Sequence, residues 1–341
     1  MPTRMARPGF DKPAGPLRRA FQYARYGRYD WIREMPRSKR VITWIGILLQ
    51  GYAIYGLWAR SLVWPLIWPH GIFLYVAVWL IWIVGTRLIY AMLTSEFVRK
   101  TQLEADQIAA RQIQQTLQPG KLEELPGYQV ETFYKPFREV GGDYFDVIEL
   151  AGERTLFAIA DVSGKGMPAA LLAANIQALV RSSANSEADP LALARQINRH
   201  LSRYTPSDRF ATAVFIVLNR DSGELTYVNA GHNAPMVCGS GSAIALEATG
   251  MPLGLFPAAA YEARTALLPP GGSLLLFTDG LTDSIAGDNA ENRLRDALAD
   301  RSGRTMSILK SLVDPKFNED DVTILLVKRQ ADAAQSVTSS S

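Results

Sequence analysis

The chain has 341 residues and a net charge of only +3, and its single cysteine excludes an internal disulfide and suits a reducing compartment. This length leaves room for one sizeable domain and an appendage, because a single core rarely grows far past ~250 residues. All seven Trp lie between Trp31 and Trp82, whereas the rest has the composition of an ordinary soluble protein. Two different solvents are therefore indicated.

Residues 1–40 form a basic arm, with eleven Lys or Arg against three acidic residues. The arm directly precedes an apolar segment, and this position favours contact with anionic membrane lipid over contact with nucleic acid. We therefore expect membrane lipid as a partner and no nucleic acid.

The apolar segment contains two runs without a formal charge, residues 41–59 and residues 61–86. The first run nearly spans a ~30 Å hydrocarbon core at 1.5 Å per residue. Two prolines predict a turn over residues 60–70, so residues 41–93 are predicted to form two transmembrane helices, the second over residues 71–92. Buried core helices or a signal peptide fit less well, because the runs are long and Trp clusters as in an interfacial belt.

The distribution of Lys and Arg predicts how this hairpin is oriented. The basic arm precedes the first helix, only Arg60 lies between the helices, and Arg99 and Lys100 follow the second helix. The positive-inside rule therefore predicts a multi-pass protein of the cytoplasmic membrane, with both termini and the domain that follows in the cytoplasm.

Residues 94–118 are predicted to form a linker helix, since residues 95–118 lack Gly and Pro and are rich in helix formers. Apolar side chains recur there at a rough helical period: Val98, Leu103, Ala109, Ile113 and Leu117. Two interpretations stay open. The helix packs on its own domain, or it forms a parallel stalk that makes a homodimer through residues 95–118.

Residues 119–329 are predicted to form one domain of strands and helices, and residues 330–341 a disordered tail. The predicted strands cover residues 129–134, 144–150, 155–160, 211–218, 225–229, 273–278 and 322–327. The predicted helices cover residues 168–183, 190–204, 290–299 and 305–313. Hairpins dominate over strand-helix-strand units, with Asp221, Ser222 and Gly223 as one turn signal. The fold class is therefore α+β, an antiparallel β-sandwich flanked by helices.

Acidic clusters occur at four strand ends or adjoining loops, within GGDYFD (141–146), DVSG (161–164), TDG (278–280) and EDD (319–321). A single Asp beside Gly is usually a turn residue. Four clusters beside buried strands instead favour a metal site, because converging carboxylates need cations. Oxygen ligands without a Cys and His set favour Mg²⁺ or Mn²⁺ over Zn²⁺. Two such ions ~3.5 to 4 Å apart can activate water against a phosphoester.

Six motifs occur in order: GGDYFD, DVSGKGMPAALLAA, NAGHNAP, GMPLGL, LLLFTDGLTDS and EDDVTIL. In order and spacing they resemble the bacterial PP2C-like serine phosphatases of the SpoIIE/RsbU type, over about residues 111–329. The resemblance implies a PP2C-like sandwich and two Mn²⁺ or Mg²⁺ ions in a bacterial protein, so the membrane predicted from the apolar runs is the bacterial inner membrane. It also implies hydrolysis of phosphoserine or phosphothreonine on a small regulatory partner protein of the anti-sigma factor antagonist type.

The resemblance also implies the metal ligands and catalytic residues, which are Asp143, Asp161, Asp279 and Asp320, with the Val162 carbonyl as a further ligand. Asp321 and Asp146 are second choices, and a turn or an outer carboxylate is the alternative for each. Asp283 stands where the family often has Glu.

Two further residues carry open alternatives. Lys165, between Gly164 and Gly166 at a helix start, is a candidate for contacting the substrate phosphate, although the glycines equally suit a tight turn. His232 is a candidate general acid, although a histidine in such a turn more often bonds to the backbone.

Two other functions compete with the phosphatase. The string GGDYF is similar to the GGDEF signature of diguanylate cyclases, but it has Tyr in place of Glu, and the TDG and EDD elements are unexplained in that interpretation. A non-catalytic, membrane-anchored scaffold that retains the fold is the second alternative.

Overall fold

The computed structural model describes residues 37–63, 71–119, 125–184, 189–206, 208–239, 243–285, 289–300, 302–314 and 319–331. The chain divides into two compact units, Met1–Glu104 and Ala105–Ser341. Most of the predicted basic arm, residues 64–70 of the predicted turn and nearly all of the predicted tail lie outside the described residues.

The first unit is built from helix α1 (Arg37–Val63) and the larger part of helix α2 (Gly71–Leu117). The two helices approach closely where Gly46 meets Gly85, since a Cβ on Gly85 would lie 3.4 Å from the Gly46 carbonyl oxygen. One polar contact crosses the pair: Gln50 Nε2 donates to Thr86 Oγ1 at 3.0 Å. Small residues that let backbones approach, joined by a polar side-chain pair, are typical of helix packing in lipid.

Helix α2 is continuous where the sequence predicts two separate helices, because no Gly or Pro interrupts residues 86–118. Its outer side chains in the first unit are largely exposed apolar groups, among them Val76, Leu80, Val84 and Leu88. In the described part of the chain, one helix, Val76–Leu117, is long and apolar enough by length and composition to cross a membrane.

The second unit contains two five-stranded sheets whose ladders are antiparallel. The strands are β1 (Tyr128–Lys135), β2 (Tyr144–Leu150), β3 (Arg154–Val162), β4 (Ala211–Asn219), β5 (Glu224–Ala230), β6 (Met236–Cys238), β7 (Ala243–Ala245), β8 (Arg264–Leu267), β9 (Ser273–Phe277) and β10 (Val322–Arg329). One sheet has the order β1-β10-β9-β6-β7, and the other has the order β2-β3-β4-β5-β8.

Five further helices lie on the outer faces: α3 (Met167–Ala184), α4 (Pro190–Tyr204), α5 (Asp279–Asp283), α6 (Ala290–Ala299) and α7 (Thr305–Leu312). Asp189 caps the start of helix α4, and its side chain accepts hydrogen bonds from the amides of Leu191 and Ala192. This N-cap, followed by Pro190, satisfies amide groups that have no partner within the helix.

Three apolar cores lie between these layers and hold them together. The central core lies between the sheets and includes Phe157, Ile159, Ile216, Leu276 and Leu325. A second core joins the β2-to-β8 sheet to α3 and α4, and a third joins the other sheet to α6 and α7. Central strands are thus buried on both faces, which accounts for their continuous apolar runs. The predicted α+β sandwich flanked by helices is confirmed.

His232 connects the two sheets near the ends of β3 and β9. Its Nδ1 lies 2.8 Å from Thr212 Oγ1 in one sheet, and its Nε2 lies 3.1 Å from the Phe277 carbonyl oxygen in the other. The carbonyl can only accept, so Nε2 carries the proton and Nδ1 accepts from the hydroxyl. Burial lowers the pKa of His232 from 6.5 to about 4.

Replacement of His232 by Gln should change how stability depends on pH. The unfolded state binds more protons than the folded state between pH 4 and 6.5, so the wild-type free energy of unfolding falls as pH decreases through this range. Over this pH range, we expect the free energy of unfolding of the variant to fall by about 1 to 3 kcal/mol less than that of the wild type. Urea unfolding of residues 105–341 at several pH values measures it.

The matched control is His200→Gln, on α4. If His200→Gln and His232→Gln changed the pH dependence equally, the interpretation of His232 as a buried neutral connection would be wrong.

Candidate functional site

Five aspartates from four chain segments converge at one end of the sandwich. Asp143 precedes β2, Asp161 lies near the end of β3, Asp279 follows β9, and Asp320 and Asp321 precede β10. We call these five residues the acid cluster. Burial raises the pKa of four of them, and the negative charge of other cluster members raises it further, which places the groups in one electrostatic environment: Asp143, Asp161, Asp279 and Asp321.

Asp143 is the most deeply buried carboxylate of the acid cluster. Its Oδ2 accepts hydrogen bonds from Thr278 Oγ1 at 2.9 Å and Thr323 Oγ1 at 2.5 Å. Thr278 follows β9 and Thr323 lies in β10, whereas Asp143 precedes β2 of the opposite sheet. The two hydroxyls therefore connect Asp143 to the segments that carry Asp279 and Asp321. Burial, followed by the charges of Asp161 and Asp321, raises the pKa of Asp143 well above its usual value, while the hydroxyls oppose this.

Asp321 is held by backbone amides. The N–H of Phe137 donates to Oδ1 at 2.7 Å, and the N–H of Gly142 donates to Oδ2 at 2.6 Å. The packing requires glycine at two places: a Cβ on Gly141 would lie 2.6 Å from Asp321 Oδ2, and one on Gly280 would collide with the Asp321 backbone. Burial raises the pKa of Asp321 despite the two amides.

Asp161 lies in β3 of one sheet, and Asp279 begins helix α5 just after β9 of the other sheet. Burial, then the charges of Asp279, Asp320 and Asp321, raises the pKa of Asp161 to about 7. Burial and then Asp320 raise the pKa of Asp279, although the nearby Gly280 amide lowers it. Each carboxylate therefore becomes harder to ionise because of the others, which is the condition that a bound cation relieves.

Asp320 already has a cationic neighbour. Lys165 Nζ lies 2.8 Å from Asp320 Oδ2 and donates to the Glu319 carbonyl oxygen at 2.7 Å. The Lys165 ammonium also lies 5.3 Å from the centroid of the Phe137 ring. Gly164 and Gly166, on either side of the lysine, have φ values of 93° and 79°, a region that favours glycine. These φ values fit a tight turn, and the contact of Lys165 with a substrate phosphate stays a prediction.

Two observations bear on whether the acid cluster suits a hydrated divalent cation. Its side-chain donors are all carboxylate oxygens, the type that Mg²⁺ and Mn²⁺ prefer. The buried hydroxyl of Tyr134, close to Gly141, has no hydrogen-bond partner within the described residues, and burial, followed by Asp321 and Asp143, raises its pKa. As they stand, no three Asp, Glu, His or Cys side chains in the described ranges form a ready ligand set. The oxygen donors of the acid cluster therefore fit Mg²⁺ or Mn²⁺. The carboxylates lie near one another, but they do not already surround a single metal position.

The other sequence-predicted residues occupy different places. The Val162 carbonyl oxygen faces Gly142, 3.2 Å from where a Cβ would lie. Asp146 is buried, and its Oδ2 forms an ion pair with Arg181 Nε at 2.7 Å. Its carboxylate therefore binds helix α3 and is not part of the acid cluster. His232 is buried with both ring nitrogens bonded, which matches the backbone-bonding alternative. Asp283 is exposed and adds negative charge near Asp279.

Sequence reasoning missed Thr278, Thr323 and Gly280, although each lies within three residues of a predicted ligand. It also missed contacts from the end of α2. Gln114 forms a two-way bond with Gly141, since Nε2 donates to the carbonyl at 2.8 Å and Oε1 accepts from the amide at 3.1 Å. A cavity of ≈ 130 Å³ lies beside this contact, between the last turns of α2, helix α3 and Asp143. The last part of α2 therefore packs on its own domain.

Comparison with known proteins identifies relatives of this domain. The family model of stage II sporulation protein E (SpoIIE) matches residues 151–330. Phosphoserine phosphatase RsbU from Bacillus subtilis is 29% identical over 176 residues, which cover 51% of this chain and 52% of RsbU. The chain thus spans about half the length of this curated relative.

Two solved structures share the fold. A crystal structure of the RsbU and RsbW domains of a Mycobacterium tuberculosis protein has a TM-score of 0.55 and 28% identity, covering 61% of this chain and 62% of that chain. The SiaA-PP2C domain of Pseudomonas aeruginosa has a TM-score of 0.57 and 21% identity, covering 67% of this chain and 98% of that domain. The resemblance to PP2C-like phosphatases is thereby confirmed at the level of fold. Because the family model covers more than half of the 341 residues, the chain belongs to the stage II sporulation protein E (SpoIIE) family.

Proposed function

We propose that this chain is a metal-dependent protein serine/threonine phosphatase. The observation that carries the proposal is the acid cluster, in which like charges are held together although they repel one another. Carboxylates are kept in such an arrangement at a cost, which a divalent cation offsets when it binds. The name of the relative RsbU, a phosphoserine phosphatase, supports the same reaction.

In this proposal the protein supplies a rigid set of oxygen donors: Asp143, Asp161, Asp279, Asp320 and, as a second choice, Asp321, with the Val162 carbonyl. Two Mn²⁺ or Mg²⁺ ions, when bound, would lower the pKa of water and clamp the phosphate for in-line attack. Thr278 and Thr323 orient Asp143, and the amides of Phe137 and Gly142 orient Asp321. No protein side chain is required as a nucleophile. The buried Tyr134 hydroxyl, which has no hydrogen-bond partner within the described residues, would be available to donate to a group bound at the cluster.

We extend the proposal to the substrate class. The RsbU relative and the neighbouring RsbW domain in the Mycobacterium tuberculosis structure support a phosphorylated regulatory protein of the anti-sigma factor antagonist type. Capture with an inactive Asp279→Asn chain, followed by mapping of phosphosites on the bound protein, would identify it.

Replacement of Asp279 by Asn should remove the reaction. We expect Mn²⁺-dependent phosphate release from p-nitrophenyl phosphate to fall by at least about 100-fold, because the change removes one charge from the proposed ligand set. Phosphate release by the purified full chain, with and without Mn²⁺, measures the effect.

The matched control is Asp296→Asn, an exposed residue of α6, which should retain wild-type activity. Product from GTP in a parallel assay would support the nucleotide cyclase instead. If the wild-type chain bound no divalent cation and released no phosphate, the non-catalytic scaffold would replace the phosphatase.

We also propose that the first unit anchors the chain in the bacterial inner membrane by two helices, with the catalytic domain in the cytoplasm. Exposed apolar side chains on both helices, such as Leu48 and Leu80, would face lipid, while the contact of Gly46 with Gly85 and the bond from Gln50 to Thr86 would join the helices. The basic residues on both flanks support the orientation.

A fusion of green fluorescent protein to the C-terminus tests this topology. We expect fluorescence in the membrane fraction that resists alkaline extraction, because the fluorophore forms in the cytoplasm and two helices hold the chain in lipid. Deletion of residues 1–93 should release the fluorescence to the soluble fraction. A full-length fusion found in the soluble fraction would contradict the anchor.

The exposed side chains of Leu103 and Ile113 on α2 support a homodimer stalk in addition to packing on the domain. Both lie on the apolar side of the predicted linker, whereas Gln115 lies on the opposite side by helical periodicity.

Replacement of both Leu103 and Ile113 by Asp should convert a dimer into a monomer, because the paired charges would be buried in the stalk. Light scattering after size-exclusion chromatography measures the mass. The control Gln115→Asp should remain dimeric. The stalk is excluded if the double variant and the wild type have the same mass.

A further inference from the structure

Lys165 places a positive charge inside the negative field of the acid cluster. It contacts the Asp320 carboxylate at 2.8 Å and the Glu319 carbonyl at 2.7 Å. The Lys165 charge also acts on Asp161 and Asp279, since it lowers the pKa of both groups, which burial and then the neighbouring carboxylates raise. Among the cluster's neighbours in the described ranges, Lys165 is thus the cation that offsets the repulsion.

The position of Lys165 is constrained by several groups. The turn formed by Gly164 and Gly166 directs the lysine toward the segment before β10, and the Phe137 ring lies 5.3 Å from the ammonium. Arg209 packs against Gly164 and donates to the Ser163 carbonyl at 3.1 Å, which supports the same turn. A flexible surface lysine would lack such contacts, so this ammonium group has a defined place.

We propose that Lys165 is a built-in competitor for the divalent cation at Asp320, and that it lowers the affinity of this part of the acid cluster for Mn²⁺ or Mg²⁺. The inference rests on the proposed function, because it assumes that Asp320 binds the cation. The ammonium group takes up part of the charge and acceptor capacity of Asp320 Oδ2, and Oδ1 accepts from the Asp321 amide, so an incoming ion competes with the ammonium for this carboxylate and displaces it on binding. The released Lys165 is then available to a substrate phosphate.

Charge repulsion adds to this competition. An ammonium group near a binding position repels an incoming divalent cation, and the repulsion weakens as salt screens it. Both side chains of the pair are partly exposed, at 41% for Lys165 and 37% for Asp320, so the effect is moderate rather than large.

The experiment measures Mn²⁺ binding to the full chain by the electron paramagnetic resonance signal of free Mn²⁺, which needs no turnover. We expect Lys165→Met to bind the weaker Mn²⁺ equivalent about 3- to 10-fold more tightly than the wild type. Lys165→Gln should do the same, whereas Lys165→Arg should stay near the wild type because it keeps the charge. The gain should shrink at high KCl concentration.

Lys310→Met is the matched control, because Lys310 also lies above a phenylalanine, 5.1 Å from the Phe133 centroid, and the variant removes the same charge. It should leave Mn²⁺ affinity unchanged. Unchanged or weaker binding in Lys165→Met, with Mn²⁺ still bound by the wild type, overturns the competitor role and leaves the phosphatase intact. Absence of Mn²⁺ binding in every variant overturns both.

Discussion

Repulsion among the five carboxylates of the acid cluster is the constraint to which the rest of this domain responds. Their charges lie close together where burial weakens the screening by water, so each raises the cost of ionising its neighbours. A chain that merely brought such groups together would relax by turning them toward solvent. The surrounding fold prevents this by bonding individual oxygens to fixed donors, and Asp143 and Asp321 are the most completely held.

The threonine donors and the carboxylate that they hold belong to different sheets, which is why the sandwich and the cluster depend on each other. Thr278 and Thr323 reach Asp143 from the sheet that contains β9 and β10, while Asp143 itself leads into β2 of the other sheet. His232 makes a second connection between the sheets, from Thr212 opposite Asp161 to the carbonyl of Phe277. A shift between the sheets would therefore disturb the carboxylates directly.

Much of the fold was predictable because its strands and helices are strongly patterned. The seven predicted strands occur within two residues of their expected bounds, and so do the four predicted helices of the domain. The strands β6, β7 and β8 were missed because three or four residues are too few to show a period. The prediction that a separate linker helix begins at residue 94 was wrong, because no residue between the apolar segment and Leu117 ends helix α2.

The sequence by itself determined which residues are candidates for the chemistry, because acidic residues beside buried strands need a cation and six ordered motifs make that combination specific. It also determined the apolar and basic composition of the first unit. Only the tertiary structure decided which oxygen pairs with which donor: Asp146 with Arg181, Asp320 with Lys165, and Asp143 with two threonines. These pairings join residues up to 180 positions apart, and local pattern contains no information about contacts at that separation.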